Sequence, residues 1–218
     1  MSAVQATFER LLEELGPEHP QVLQAQFDWA AELGHAEVYD QAGPLFRDIL
    51  ALRRQVLGLQ HADTIETERC LASVCEETGQ SAEAEWLYRS ALSGFRLLYG
   101  DEHVDTATSM VELAFFLWSR GQFRESVDLF ENGFGIREAL LGSTHEDTLS
   151  VLYDLAEVYF RSRRYDRWAP TVQALYERTR EVHGEEAEET QAILAQMTKQ
   201  RALEVLRTDE WKEEGLWS

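Results

Sequence analysis

The feature that most constrains this chain is a spacing. The stretches "LGLQHADT" (57–64), "YGDEHVDT" (99–106) and "LGSTHEDT" (141–148) share a Gly-x-x-His-x-x-Thr skeleton, and looser copies begin at Leu15 and His183. The glycines Gly16, Gly58, Gly100, Gly142 and Gly184 follow one another at steps of 42 residues with no slip. A fixed period between about 20 and 50 residues marks an array of stacked supersecondary units, each burying its apolar side only against its neighbours.

Between successive glycines lie two stretches of helical periodicity. Met110, Leu113, Ala114 and Leu117 form one, and after "SRGQF" come Val127, Phe130 and Phe134. In register, the first helix repeats Leu71-Ala72, Leu113-Ala114 and Leu155-Ala156, and the second repeats Ala84 with Ser126 and Tyr88 with Phe130. Small residues let two helices approach and large ones fill the space between them. Gly79 and Gly121 mark the turn inside the pair, where a left-handed residue ends a helix at least cost.

The skeleton itself is punctuation between pairs. Its glycine caps one helix and its histidine stands where the next begins; Pro20 suits a first helical position, and Asp63, Asp105, Asp147 and Glu189 place negative charge beside the helix dipole. A metal centre built from His19, His61, His103 and His145 is not expected. Equivalent points of successive repeats lie at least about 8 Å apart, whereas ligands of one zinc ion all lie about 2 Å from it.

The pattern Leu-Gly-x-x-His, then Leu-Ala, then "GQSAEAEWLYRSAL" (79–92) resembles the extended tetratricopeptide repeat of kinesin light chains and many bacterial proteins, over about residues 15 to 207. Armadillo and HEAT arrays have overlapping periods, and the small-then-aromatic order of the second helix argues against them. The expected fold is all-α: a right-handed α-solenoid of about four antiparallel helix pairs with half-repeat capping helices. Its divisions are a capping helix in 1–15, repeats at 16–57, 58–99, 100–141 and 142–183, a second cap in 184–207 and an acidic tail in 208–218. The chain is expected to be a complete small protein with one domain.

Departures from the pattern carry their own expectations. Arg163 stands where the turn glycine belongs and Trp168 where the small residue belongs, so the fourth pair should be splayed or packed differently. Pro44 and Pro170 fall a few residues into their second helices. Because proline removes a donor and clashes with the preceding turn, those helices are predicted to start late or kink.

The resemblance implies that first helices line a concave groove that takes a segment of a partner protein. By register the groove positions are Phe27 and Asp28; Glu66, Arg69 and Ser73; Val111, Glu112, Phe115 and Trp118; and Tyr153, Asp154, Glu157 and Phe160. In the third repeat Val111, Phe115 and Trp118 make a second apolar stripe beside the core stripe, either a binding surface or the wide apolar face of a central helix covered by neighbours on several sides. Aromatic residues dominate interface hot spots, and the acids around these suggest a partner segment that is apolar with basic flanks. A carboxylate clamp is disfavoured, since the corresponding places hold Gln24, Glu66, Thr108 and Ser150.

Charge narrows the partner class. Acids outnumber Lys and Arg 40 to 20, a formal charge of −20 that opposes nucleic acid and anionic membrane. The basic island "FRSRRYDRW" (160–168) fits pairing with nearby acids better than a phosphate track. With no basic leader and no apolar run near membrane-spanning length, a cytoplasmic location is expected. Cys70 and Cys75 point to different faces of one helix and are expected to be free thiols.

No nucleophile with its base, phosphate loop or metal cluster is evident, so neither an enzyme nor a cofactor is expected. The leading reading is a noncatalytic scaffold or adaptor. An acidic inhibitor of a basic toxin or nuclease is the alternative, and an assembly chaperone or structural subunit the third. Trp211 and Trp217 in the tail suggest burial against the last helix or self-association more than occlusion of an acidic groove.

Overall fold

A computed structural model describes residues 2–195 of the protein. The acidic tail and the later part of the expected C-terminal cap lie outside the described residues. Within them every regular element is a helix: α1 (Ala3–Leu15), α2 (Pro20–His35), α3 (Tyr39–Val56), α4 (Ala62–Glu77), α5 (Ser81–Tyr99), α6 (Val104–Ser119), α7 (Phe123–Leu141), α8 (Glu146–Arg161) and α9 (Tyr165–His183). A further helix begins at residue 188. The architecture is that of a right-handed α-solenoid built from antiparallel helix pairs. Two compact units divide at Leu129 and Phe130, within α7.

The periodic skeleton acts as reciprocal capping. At each of His19, His61, His103 and His145 the imidazole Nδ1 accepts from the backbone N–H two residues on, at 3.2 to 3.3 Å, which satisfies one of the otherwise unpaired donors of the following helix. The threonine ties the new helix back to the old one, since the Thr64 and Thr106 hydroxyls donate to the carbonyls of Gly58 and Gly100 at 2.9 and 2.8 Å. The glycine closes the previous helix at φ +87° and ψ 176° in Gly100, a backbone region that only glycine occupies readily.

Inside each pair the turn is a Schellman motif. Gln80 and Gln122 donate back to Cys75 and Leu117 at 2.8 and 2.9 Å, around Gly79 and Gly121 with φ +75° and +77°. The same bonds run from Val38 to Leu33 and from Arg164 to Tyr159, although the left-handed residue there is Glu37 or Arg163. The arginine of the fourth repeat therefore leaves the turn unchanged. What differs in that repeat is the filling, with Trp168 buried and its ring 5.6 Å from that of Phe160.

The expectation of late starts at the prolines is corrected. Both α3 and α9 begin in register with α5 and α7, and both run on through Pro44 and Pro170 as helix. Each proline is the sixth helical residue and exposed, and so is the residue four before it, Asp40 or Asp166. The carbonyl that loses its intrahelical donor can be met by water, so the cost falls short of breaking the helix.

In the first unit α1 packs on α2, α2 on α3, α3 on α4, α4 on α5 and α5 on α6. Leu71, Ala72, Leu113 and Ala114 are at most 2% exposed, as the small-and-large pattern requires. Ser126 is buried and donates to the Ala114 carbonyl at 2.7 Å, showing how closely α7 approaches α6 at its small position. Phe8 stacks on Trp29 at 5.6 Å, which seats α1 against the first pair. In the second unit α8 packs on α9 around Leu155, Ala156, Val172 and Leu175.

Candidate partner-binding face

Three first helices of the N-terminal unit contribute to one open cleft of about 530 Å³. Phe27 comes from α2, Glu66, Arg69, Cys70 and Ser73 from α4, and Glu112 from α6, while Tyr39 and Phe46 of α3 add aromatic wall. Phe27 lies edge-on to Phe46 at 5.6 Å, and the Arg53 guanidinium covers its other side 4.7 Å from the ring centre. Arg53 is buried and donates to the Asp63 carbonyl, the Thr67 hydroxyl and the Gln24 amide, so it supports the wall from behind.

Arg69 organises the charges. Its Nε and Nη2 donate to the two oxygens of Glu66 at 2.8 and 2.5 Å, and its Nη1 donates to Glu112 on the next first helix. Burial alone would lower the arginine, but the hydrogen bonds to Glu66 and the charge of Glu112 outweigh it and hold the guanidinium charged. Glu37 and Glu77 bring the lining acids to four against that one arginine. Burial and those two glutamates raise the Tyr39 phenol above its ordinary value. The cleft thus combines aromatic side chains with an excess of carboxylates.

Burial pushes the Cys70 thiol up to about 12 and the Cys75 thiol up to about 11, so neither is a thiolate at neutral pH. Both are free thiols.

The remaining groove positions differ in their exposure. Asp28 is exposed and accepts from Gln24 at 2.7 Å, but it does not line the cleft. Val111 departs from the expected stripe: it is 6% exposed and belongs to the core, because a central helix packs against neighbours on several sides. Phe115 on the same helix is open at 41%, and Trp118 is half-buried edge-on to Phe123 at 6.4 Å.

In the second unit the α8 face carries Tyr153, exposed at 42%, with half-buried Asp154, Glu157 and Phe160. Burial raises the Asp154 carboxyl to about 6, with Arg137 opposing and Glu157 adding to the rise. Phe160 packs on Tyr165 at 5.8 Å, and Glu157 pairs with Arg161 at 3.4 Å. Part of the basic island is likewise engaged, with Arg164 paired to Glu131 at 3.9 Å.

Glu37, Tyr39, Phe46 and Glu77 were not anticipated from the sequence. The groove positions implied by the 42-residue register fall on first helices, whereas Glu37 and Tyr39 belong to the turn and start of a second helix. A signal existed in the aromatic residues at the first position of three second helices, Tyr39, Phe123 and Tyr165.

Paired helices of constant length, capped by a periodic Gly-His skeleton and offering first-helix side chains as an open face, define an α-helical repeat scaffold. A tetratricopeptide repeat family model matches residues 29–96, 63–131 and 105–167, more than half of the chain, and the protein belongs to that family. Its architecture is kinesin-light-chain-like, that of a protein–protein interaction module.

Solved structures agree in fold. A Podosopora anserina protein with nearly identical TPR-like repeats, named as a kinesin light chain, superposes with a TM-score of 0.68 at 22% identity, over 82% of this chain and 85% of that one. BtubC (BKLC) from P. vanneervenii gives 0.75 at 16% identity, over 100% of this chain and 95% of its own. A search of curated proteins finds no match. Among the described residues no group of acids, histidines and cysteines could hold a metal ion, and no helix is long and apolar enough to cross a membrane.

Proposed function

We propose that the chain is an adaptor whose first-helix faces take an extended or helical segment of another protein, apolar with basic flanks. The observation that carries this reading is the cleft of the first unit, lined by Phe27, Tyr39 and Phe46 together with Glu37, Glu66, Glu77 and Glu112, with Arg69 the one arginine or lysine among the lining residues. Aromatic walls supply the burial that holds a segment, and the carboxylates select its flanking charge and speed its arrival. Phe115 and Trp118, and on the second unit Tyr153, Asp154, Glu157 and Phe160, are the further positions proposed to touch a partner.

The test is capture of partners from lysate by immobilised wild-type protein and by a Phe27→Ala/Glu77→Lys variant of equal helicity, at low and high salt. Loss of the same partner from the variant, with weakening in salt, is the expected result. Equal capture by both proteins would remove the cleft from the reading.

The acid excess of 20 charges also favours a second reading, inhibition of a basic enzyme. In that case one stoichiometric partner of high affinity dominates the capture, and its activity falls in proportion to added protein.

A further inference from the structure

Among the described residues a second hollow opens beside the cleft of the N-terminal unit. Besides the cleft of about 530 Å³, a second of about 260 Å³ lies toward the starts of α4 and α6, edged by Asp63, Asp105 and Phe95. Glu66 and Arg69 line both. The Arg69 side chain is therefore the partition between them, held across the face by Glu66 on its own helix and Glu112 on the next.

The manner of holding points to what the face recognises. One carboxylate takes the Nε and Nη2 edge as a fork and a second takes Nη1, so a planar guanidinium is gripped from two helices. That geometry suits arginine and not the compact, strongly hydrated ammonium of lysine. The bridging side chains keep 23% to 36% of their surface exposed, so the grip faces the open side of the unit and is not sealed in the core. Unlike the first helices on either side, α4 brings its own cation: the places of Arg69 in α2, α6 and α8 hold Phe27, Val111 and Tyr153.

We infer that the Glu66–Glu112 pair is a recognition subsite for an arginine side chain of the partner segment, and that Arg69 is an internal stand-in that occupies it when no partner is bound. This rests on the reading that the face binds a basic, apolar segment, and names the residue that such a segment places there. On docking, the partner's guanidinium takes the Glu112 and Glu66 oxygens while Arg69 swings toward Asp63 and Asp105 at the edge of the smaller hollow, so that the two hollows become one trough. The stand-in sets a threshold: a segment must offer arginine in the right place to displace it, and loosely basic chains are rejected.

The probes are three labelled peptides of alternating leucine with arginine, with lysine or with glutamine, titrated by fluorescence anisotropy against the full chain. Arg69→Ala is expected to bind the arginine peptide about tenfold more tightly than wild type, the worth of one charge-assisted hydrogen-bonded pair. The gain should be smaller for lysine and absent for glutamine. It should vanish in Arg69→Ala/Glu112→Gln. Arg10→Ala, which removes the same charge from an exposed pair on α1, controls for the overall field. Should Arg69→Ala lose helicity by circular dichroism, Arg69→Met keeps the aliphatic stem and replaces it.

Affinity equal to or below that of wild type in the Arg69 variant would overturn the inference and leave the ion pair a staple between α4 and α6. An equal gain from Arg10→Ala would reduce the effect to bulk charge and overturn it as well. The underlying reading fails separately: wild type then binds the glutamine peptide as well as the arginine peptide, and Glu37→Gln/Glu77→Gln changes nothing.

Discussion

Two kinds of turn use a positive φ in this chain, and only one of them tolerates a side chain. At the boundary between repeats the backbone takes φ near +85° with ψ of 164° to 176°, as in Gly16, Gly100 and Gly184, and glycine is kept at all five positions. In the turn inside a repeat φ lies between +59° and +77°, and two of four positions have given glycine up for Glu37 and Arg163. The left-handed region costs an ordinary residue about 1–2 kcal/mol, whereas the boundary conformation is essentially closed to it. Drift in a repeat is thus permitted where the backbone sits in a shallow well and forbidden where the well excludes a Cβ.

Substitutions can break this comparison. The largest effect is expected from Gly100→Ala. No atom lies within 4 Å of the added methyl, so the loss, about 2–3 kcal/mol in chemical denaturation, comes from backbone strain alone. Gly79→Ala, equally free of neighbours, should cost only about 1 kcal/mol. Equal losses at the two sites would show that the contrast in ψ has no energetic meaning. His103→Ala removes the acceptor for the Asp105 N–H and should cost about 1 kcal/mol of the same denaturation free energy, as loss of an N-cap does.

The converse change sharpens the comparison. Arg163→Gly relieves a left-handed side chain, and glycine's extra freedom in the unfolded chain offsets part of the gain, so the melting temperature should rise by an amount equivalent to about 0.5 kcal/mol.

The smallest effect concerns charge on a first-helix face. Because the folded carboxyl of Asp154 titrates at about 6, above its ordinary 3.8, the folded chain holds a proton that the unfolded chain has released. That contribution to stability is present below pH 3.8 and is lost as pH rises through 6. Asp154→Asn should therefore melt with wild type near pH 4 and above it at pH 7, by less than about 1 kcal/mol once solvent screening is allowed for. A constant difference across that range would contradict the assignment.

Legibility in the sequence followed the range of the interactions. The boundary glycine and the helix start at the histidine were readable because they recur at a fixed spacing, whereas the bonds behind them, from the Asp63 N–H to His61 and from Thr64 to Gly58, depend on side-chain geometry that spacing does not give. The helical core was readable because Leu113-Ala114 recurs in register and both residues are buried. The cleft was only half readable. Phe27, Glu66, Arg69 and Glu112 could be placed by period, but Tyr39, Glu37 and Glu77 join them from the ends of elements, where the period specifies backbone and not surface. Val111 misled because an apolar residue beside a core stripe looks the same in sequence whether a neighbour covers it or not. The prolines misled because their cost depends on the exposure of Asp40 and Asp166, four residues earlier, which the local sequence does not give.

The reciprocal caps at each boundary have one more consequence. Because the Gly100 carbonyl is met by Thr106, and the His103 ring meets the Asp105 N–H, the end of one helix and the start of the next are completed inside a segment of seven residues. A duplicated or deleted length of chain cut at the glycines would carry both halves of every such bond with it. Such an array can change its reach by whole units in a single genetic event without exposing a raw helix end, and each added unit brings a fresh face on which selection can write a new preference.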